Sequence, residues 1–351
     1  MTWMKQRRRL TLTAGIAAFA LTAGACSSGR SGDAASTSQS PGQSKTSAAA
    51  SSTKTSAGTS TARPKATRPS SPAPSVDPLT GGRRTTHPVI AVKLENTAAA
   101  MPQYGLSPAD LVFVEQVEGN LTRLMPVYQS SYPKRVEPVR SARSTDVDIL
   151  PAFGRPVLVY SGAASQIRKK LSRAPIRLYG GDQRDSSRPA PHNLYFDVAQ
   201  LAKKHGLARS RDIGLRFART DPQLAKAPTR TSFTVKVGGD RFSFAYKGSR
   251  YLPSWNGRPY TDSGAGGKRV TASNVLALSV RTVSDRYRDP AGNPVYKSLT
   301  TGSGKLTLYR NGKQLSGAWH RSATNKPFRF TDSHGKQLRL APGKTWILLQ
   351  D

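Results

Sequence analysis

Four glutamates, Glu95, Glu115, Glu118 and Glu137, are all that the chain contains, and they fall between residues 95 and 137. Among 54 basic and 20 acidic residues this makes one acidic neighbourhood. Glu115 and Glu118 invite general acid–base chemistry, because two carboxyl groups in unlike surroundings can divide a proton transfer. Residues three apart on a strand point to opposite faces, so such a pair needs a bulge or a strand end near Gly119. A salt bridge to an arginine is the competing role for each. Arg123 closes the same polar stretch. Further on, Pro138-Val139-Arg140-Ser141-Ala142-Arg143-Ser144 sets two guanidinium groups three residues apart. If a helix starts near Ser141 or Ser144, these groups and its free N–H donors could converge on an anion. Bridging to Glu118 or Glu137 is the alternative. In Pro189-Ala190-Pro191-His192-Asn193-Leu194-Tyr195 a proline-set loop delivers His192 and Asn193 side by side. His192 would add a group that titrates near neutral pH, although a lone histidine is more often structural. Glu115, Glu118, Arg123, Arg140, Arg143, His192 and Asn193 are therefore the candidate ligand-binding set. No HxH, HExxH, GxSxG or glycine-rich phosphate loop occurs, so no metal or cofactor is expected and no catalytic residue is assigned.

The elements that must position these residues divide the chain. Val89–Val92, Leu111–Val114, Leu124–Tyr128 and Val157–Tyr160 read as strands. Ser107-Pro108-Ala109-Asp110 looks like a helical turn, with serine at the cap and proline at the first position. Helices are expected from Ser144 to Ala152, from Ala163 to Leu171, and from an Asp197 cap to Lys204, ended by Gly206. After residue 228 the pattern alternates with period two. Phe233–Val237 and Phe242–Tyr246 flank Gly238-Gly239, and Leu306–Tyr309 leads to Asn311-Gly312, a favoured tight hairpin turn. The predicted class is α+β. A mixed α/β domain over 81–227 precedes a smaller, mostly antiparallel β domain over 228–351.

The amino-terminal end predicts export. Lys5, Arg7, Arg8 and Arg9 precede an uncharged run from Leu10 to Ala25. That run has the length of a signal-peptide core and is short of the ~20 residues that span a bilayer. Leu21-Thr22-Ala23-Gly24-Ala25-Cys26 resembles a lipobox, in which the cysteine thiol takes a diacylglycerol before cleavage ahead of it. Residues 1–25 are thus read as a signal peptide and Cys26, the only cysteine, as the lipidation site. An ordinary secretory signal is the alternative. Residues 26–80 form a disordered tether rich in Ser, Thr, Pro and Ala, with nothing to offset the entropy of ordering. Such a chain has an end-to-end distance of roughly 40 Å. Losing the leader's four basic residues, with no acid among them, lowers the net charge from +34 to +30. Outside a cell, anionic headgroups and phosphate-bearing wall polymers are the polyanions such a field meets. Nucleic acid is not the expected partner there.

Glu115-Gln116-Val117-Glu118-Gly119-Asn120-Leu121-Thr122-Arg123, Pro138-Val139-Arg140-Ser141-Ala142-Arg143 and His192-Asn193-Leu194-Tyr195 together resemble signatures of the YerB-like bacterial lipoproteins. Gly317-Ala318-Trp319 and Pro342-Gly343-Lys344-Thr345-Trp346-Ile347 resemble that family's carboxy-terminal motifs. The resemblance covers nearly all of 85–351 and implies a two-part lipoprotein without an assigned activity. The expectation is a lipid-anchored protein on the extracytoplasmic face of the membrane. It would bind an anionic wall polymer or an envelope protein without catalysis. The alternative is a hydrolase of envelope glycans or phosphodiesters, with Glu118 or His192 as base.

Overall fold

A computed structural model describes residues 76–181, 183–289 and 292–351. The expected signal segment, Cys26 and the expected tether as far as residue 75 lie outside the described residues. The expected tether ends sooner than residue 80. Asp77 and Leu79 are fully buried, and the Asp77 carboxylate accepts the Leu79 and Thr80 N–H groups at 2.9 Å. Burial of Leu79 removes apolar area from water while the aspartate satisfies the turn, and both dock this segment.

Strands dominate and the helices are few and short. In chain order the first elements are β1 (Ile90–Val92), β2 (Leu94–Asn96), β3 (Leu111–Gln116), β4 (Thr122–Tyr128), α1 (Ser144–Ile149), β5 (Val157–Tyr160), α2 (Ser165–Arg173) and β6 (Arg177–Gly180). They are followed by β7 (Gln183–Arg184), β8 (Leu194–Tyr195), α3 (Val198–Ala202), β9 (Ser232–Val237), β10 (Asp240–Lys247), β11 (Arg250–Trp255) and β12 (Arg258–Pro259). The remainder are β13 (Thr261–Asp262), β14 (Lys268–Arg269), β15 (Asn274–Ser279), β16 (Thr282–Arg288), β17 (Pro294–Ser298), β18 (Gly302–Arg310), β19 (Lys313–Arg321), β20 (Arg329–Thr331) and β21 (Thr345–Gln350).

Eleven strands share one sheet in the order β20-β19-β18-β15-β21-β3-β4-β1-β5-β6, with β2 also paired to β4. The Gly238-Gly239 and Asn311-Gly312 hairpins form as the sequence predicts. Asn311 and Gly312 both take positive φ, 51° and 70°, the conformation a type I′ turn demands. The closing strand departs from the expected antiparallel pattern: β21 runs parallel to both β15 and β3. Its residues Thr345–Leu349 are all buried, and a continuous apolar run buried on both faces suits the interior of a parallel arrangement. Backbone hydrogen bonds thus cross the change of pattern at residue 228.

Alternation along each strand feeds two cores, one on either side of the sheet. Ile347 and Leu349 join Phe113, Leu276 and Leu308 under α1 and α2, with Ile149, Ile167 and Leu171 from those helices. Trp346 and Leu348 join Val112, Val114 and Val159 on the other side, under α3 and the separate sheet β9–β12. The Ser107–Asp110 segment is a turn and no helix. The Asp110 carboxylate accepts the Gln129 N–H at 2.6 Å and the Ser130 N–H at 2.8 Å, so it ties the turn to the end of β4.

Candidate functional site

The β3–β4 hairpin puts opposite charges in register. Arg123 on β4 faces Glu95 on β2 and Glu115 on β3. This lies at the carboxyl end of β3, and the other strands of that direction end nearby. Segment 138–142 is laid alongside them by backbone bonds. The Glu95 N–H donates to the Pro138 carbonyl at 2.9 Å, the Arg140 N–H to Lys93 at 2.8 Å, and the Ser161 N–H to Arg140 at 3.0 Å. The Val139 N–H donates to the Leu194 carbonyl at 2.7 Å, which draws the histidine loop onto the same spot.

Two ion clusters result. In the deeper one, Lys93 has no exposed surface and its Nζ binds the Glu115 carboxylate and Asp146 Oδ1, the latter at 2.8 Å. Asp146 also accepts the Arg143 N–H at 2.7 Å, locking the start of α1. Burial pushes the Lys93 ammonium down to about 8 against the pull of Asp146, and pushes Arg123 down to about 10 against the charges of Glu95 and Glu118. Arg143 grips Glu118 with both arms of its fork, Nε to Oε2 at 2.7 Å and Nη2 to Oε1. Burial alone would raise the Glu118 carboxyl, but the Arg143 bonds and charge outweigh it and hold the pKa below the usual value.

The second cluster centres on Glu95, which is buried. His192 Nδ1 lies 2.8 Å from Glu95 Oε2, Thr97 Oγ1 donates to Oε1 at 3.3 Å, and Arg140 Nε stands 3.6 Å from Oε2. Arg140 Nη1 donates to the Pro191 carbonyl at 3.2 Å. The Arg140 and His192 side chains keep 24% and 23% of their surface, which leaves them open to solvent while Glu95 is buried.

The two clusters account for six of the candidate residues, and Asn193 stands apart. Its Oδ1 accepts from Arg184 at 2.9 Å and its Nδ2 donates to the Asp185 carbonyl at 3.3 Å, so it braces the loop behind His192. Glu137 is also separate and bonds to Arg135 at 2.8 Å. Arg135 itself is sandwiched between the rings of Tyr104 and Tyr195. Sequence reasoning passed over Lys93 and Asp146. Lys93 had left a signal, as a lone cation in the apolar run from Val89 to Leu94. It also missed the β16–β17 hairpin, which reaches over α1. There Asp285 binds Ser144 and, at 2.8 Å, Lys170, and Lys297 binds Asp148 at 2.8 Å. Tyr287 from this hairpin joins Glu118, Ser141 and Arg143 around a cleft of about 280 Å³. Among the described residues no group of three His, Cys, Asp or Glu could hold a metal ion.

Chemically, Arg143 and Lys93 are engaged by carboxylates, while Arg140 is an accessible planar fork. The Glu95–His192 pair is a buried carboxylate orienting a reachable imidazole.

Comparison with known proteins gives a consistent picture. Residues 78–211 match the family model described as protein of unknown function (DUF3048) N-terminal domain, and residues 231–347 match its C-terminal domain. The Bacillus subtilis (strain 168) protein named "Putative lipoprotein YerB" is 30% identical over 294 residues, covering 77% of this chain and 84% of that protein. The crystal structure of the YerB protein from Bacillus subtilis superposes with a TM-score of 0.64 at 25% identity. That match covers 78% of this chain and 96% of the other.

Proposed function

The chain belongs to the DUF3048 family, and from that premise we propose that it is a lipid-anchored extracytoplasmic protein whose Arg140 cluster binds an anionic group of the cell envelope. Cys26 carries the lipid and residues 27–75 act as the spacer. The relative's lipoprotein name supports this part of the reading. The ligand is a carboxylate or phosphate on a wall polymer or an envelope protein. One observation carries the proposal: Arg140 is partly exposed and loosely held, at 3.6 Å from Glu95 and 3.2 Å from a carbonyl, beside the more deeply buried Arg123. A fork with free donor capacity, backed by a second buried cation, suits a charge-assisted bond to an oxyanion.

The test is retention of the full chain on purified envelope material, with circular dichroism as the folding control. Arg140→Ala loses most of the retention while remaining folded. Unfolding of the variant would make Arg140 structural. Cys26→Ser moves the protein out of the membrane fraction, and equal palmitate labelling of both forms would refute the anchor.

A second reading, hydrolysis of an envelope glycan or phosphodiester, is favoured by the Glu95–His192 contact at 2.8 Å. With Nδ1–H donating to the carboxylate, Nε2 keeps its lone pair and can serve as a base. Glu118 is the poorer base because Arg143 occupies both its oxygens and lowers its affinity for a proton. Release of soluble fragments that ceases in His192→Ala, with retention unchanged, would select this reading. No release by the wild type excludes it.

A further inference from the structure

At the opposite end of the sheet from Arg140, the amino ends of β3 and β21 open into a cleft of about 890 Å³. Two sequence motifs that the first site leaves unused meet here: the Ser107–Asp110 turn and Gly343-Lys344. Arg83, Arg84 and Lys344 supply positive charge, and Thr86, Ser107 and Ser131 line the cleft together with His87, Pro108 and Ala109. Asp110 is the carboxylate in that wall, and three donors from Gln129 and Ser130 already engage it. Asp262, behind the turn, is likewise taken by the Gly105 and Ser107 N–H groups at 2.9 and 2.6 Å.

Lys344 is built into place. Its Nζ donates to the Leu106 and Ser107 carbonyls at 2.8 and 2.6 Å, which uses two of three ammonium protons on neutral acceptors. Gly343, at φ +122°, permits the approach, since a Cβ there would stand 2.2 Å from Ser273 Oγ. The Ser273 N–H fixes the Lys344 carbonyl at 2.9 Å. Burial pushes the ammonium down to about 8 against the pull of Asp262 and Asp110.

We propose that this cleft is a second ligand site, for a phosphate ester of a polyhydroxyl compound. Lys344 and Arg83 would meet the phosphate, and the serine and threonine hydroxyls would meet the ligand's own hydroxyl groups. A lysine acts on phosphate as a point charge and arginine as a fork, while hydroxyls donate and accept as a polyol requires. The docked segment Val76–Gly82, where the tether joins the folded part, contributes Thr80 and Gly82 to the rim. A phospholipid headgroup and a soluble polyol phosphate share this chemistry.

The experiment titrates glycerol 3-phosphate into the full chain carrying Cys26→Ser, with glycerol as the control, by calorimetry. Saturable binding of the ester and none of glycerol is expected. Arg83→Ala, on the exposed rim, weakens it about tenfold, and Lys344→Gln does at least as much. Circular dichroism checks both variants, and if Lys344→Gln does not fold, Arg83→Ala decides alone. Absence of wild-type binding overturns the proposal, as does binding of equal strength in the folded variants. Flotation with phosphatidylglycerol vesicles, against phosphatidylcholine, then assigns the source. Flotation that depends on Arg83 names the headgroup, and binding confined to glycerol 3-phosphate names the soluble ester.

Discussion

Glu118 shows how opposing effects settle at one residue. Its desolvation favours the neutral acid, yet two bonds from Arg143 favour the carboxylate and win. The folded pKa therefore lies below the unfolded value of 4.5. The stability this provides is fully present above about pH 4.5 and is lost as pH falls through the folded value. Glu118→Gln should lower the melting temperature at pH 6, and the gap from wild type should narrow as pH falls below 4.5. A gap that stays constant with pH would mean the ion pair contributes nothing. Much of this cluster was legible as polar residues where a core should be apolar. In the turn over residues 191–193 the His192 side chain meets Glu95 while that of Asn193 is taken by Arg184 and the Asp185 carbonyl, a division that adjacency in sequence does not foretell. Asp146 left no local trace, because its partner Lys93 lies 53 positions away and only the tertiary fold joins them.

At the scale of elements, the docked Val76–Gly82 segment sets where the folded part begins. Truncations ending at residue 75 should leave the melting temperature of the folded part unchanged. Extending the deletion through residue 80 should lower it by several degrees, and Leu79→Ala should cost about 2–5 kcal/mol. Equal melting of the two truncations would show that Leu79 is not part of the core. The hairpins at Gly238-Gly239 and Asn311-Gly312 were readable because turn chemistry is local. The β16–β17 hairpin carries weaker local signals: its strands alternate around charged residues, and ion pairs fasten it over α1 beside the buried Val295.

Over the whole molecule, the central β21–β3 pairing is the feature least visible in sequence. Parallel partners separated by more than 200 positions leave no periodic mark, and each half looks self-contained when its own pattern is read. The shared sheet predicts that residues 76–351 unfold in a single calorimetric transition, and two separated transitions would show that the halves are independent. The same sheet sets the Arg140 cluster at one end and the Lys344 cleft at the other, so a chain anchored through Cys26 would offer two anion-binding ends to its surroundings. The central claim rests on the Arg140 end. Its most direct test is the dissociation constant of the full chain on purified envelope material for wild type, Arg140→Lys and Arg140→Ala at one fixed salt concentration. The account predicts a loss of about ten- to a hundredfold for Arg140→Ala, with Arg140→Lys in between because it keeps the charge and loses the fork. Three equal constants in folded proteins would contradict it.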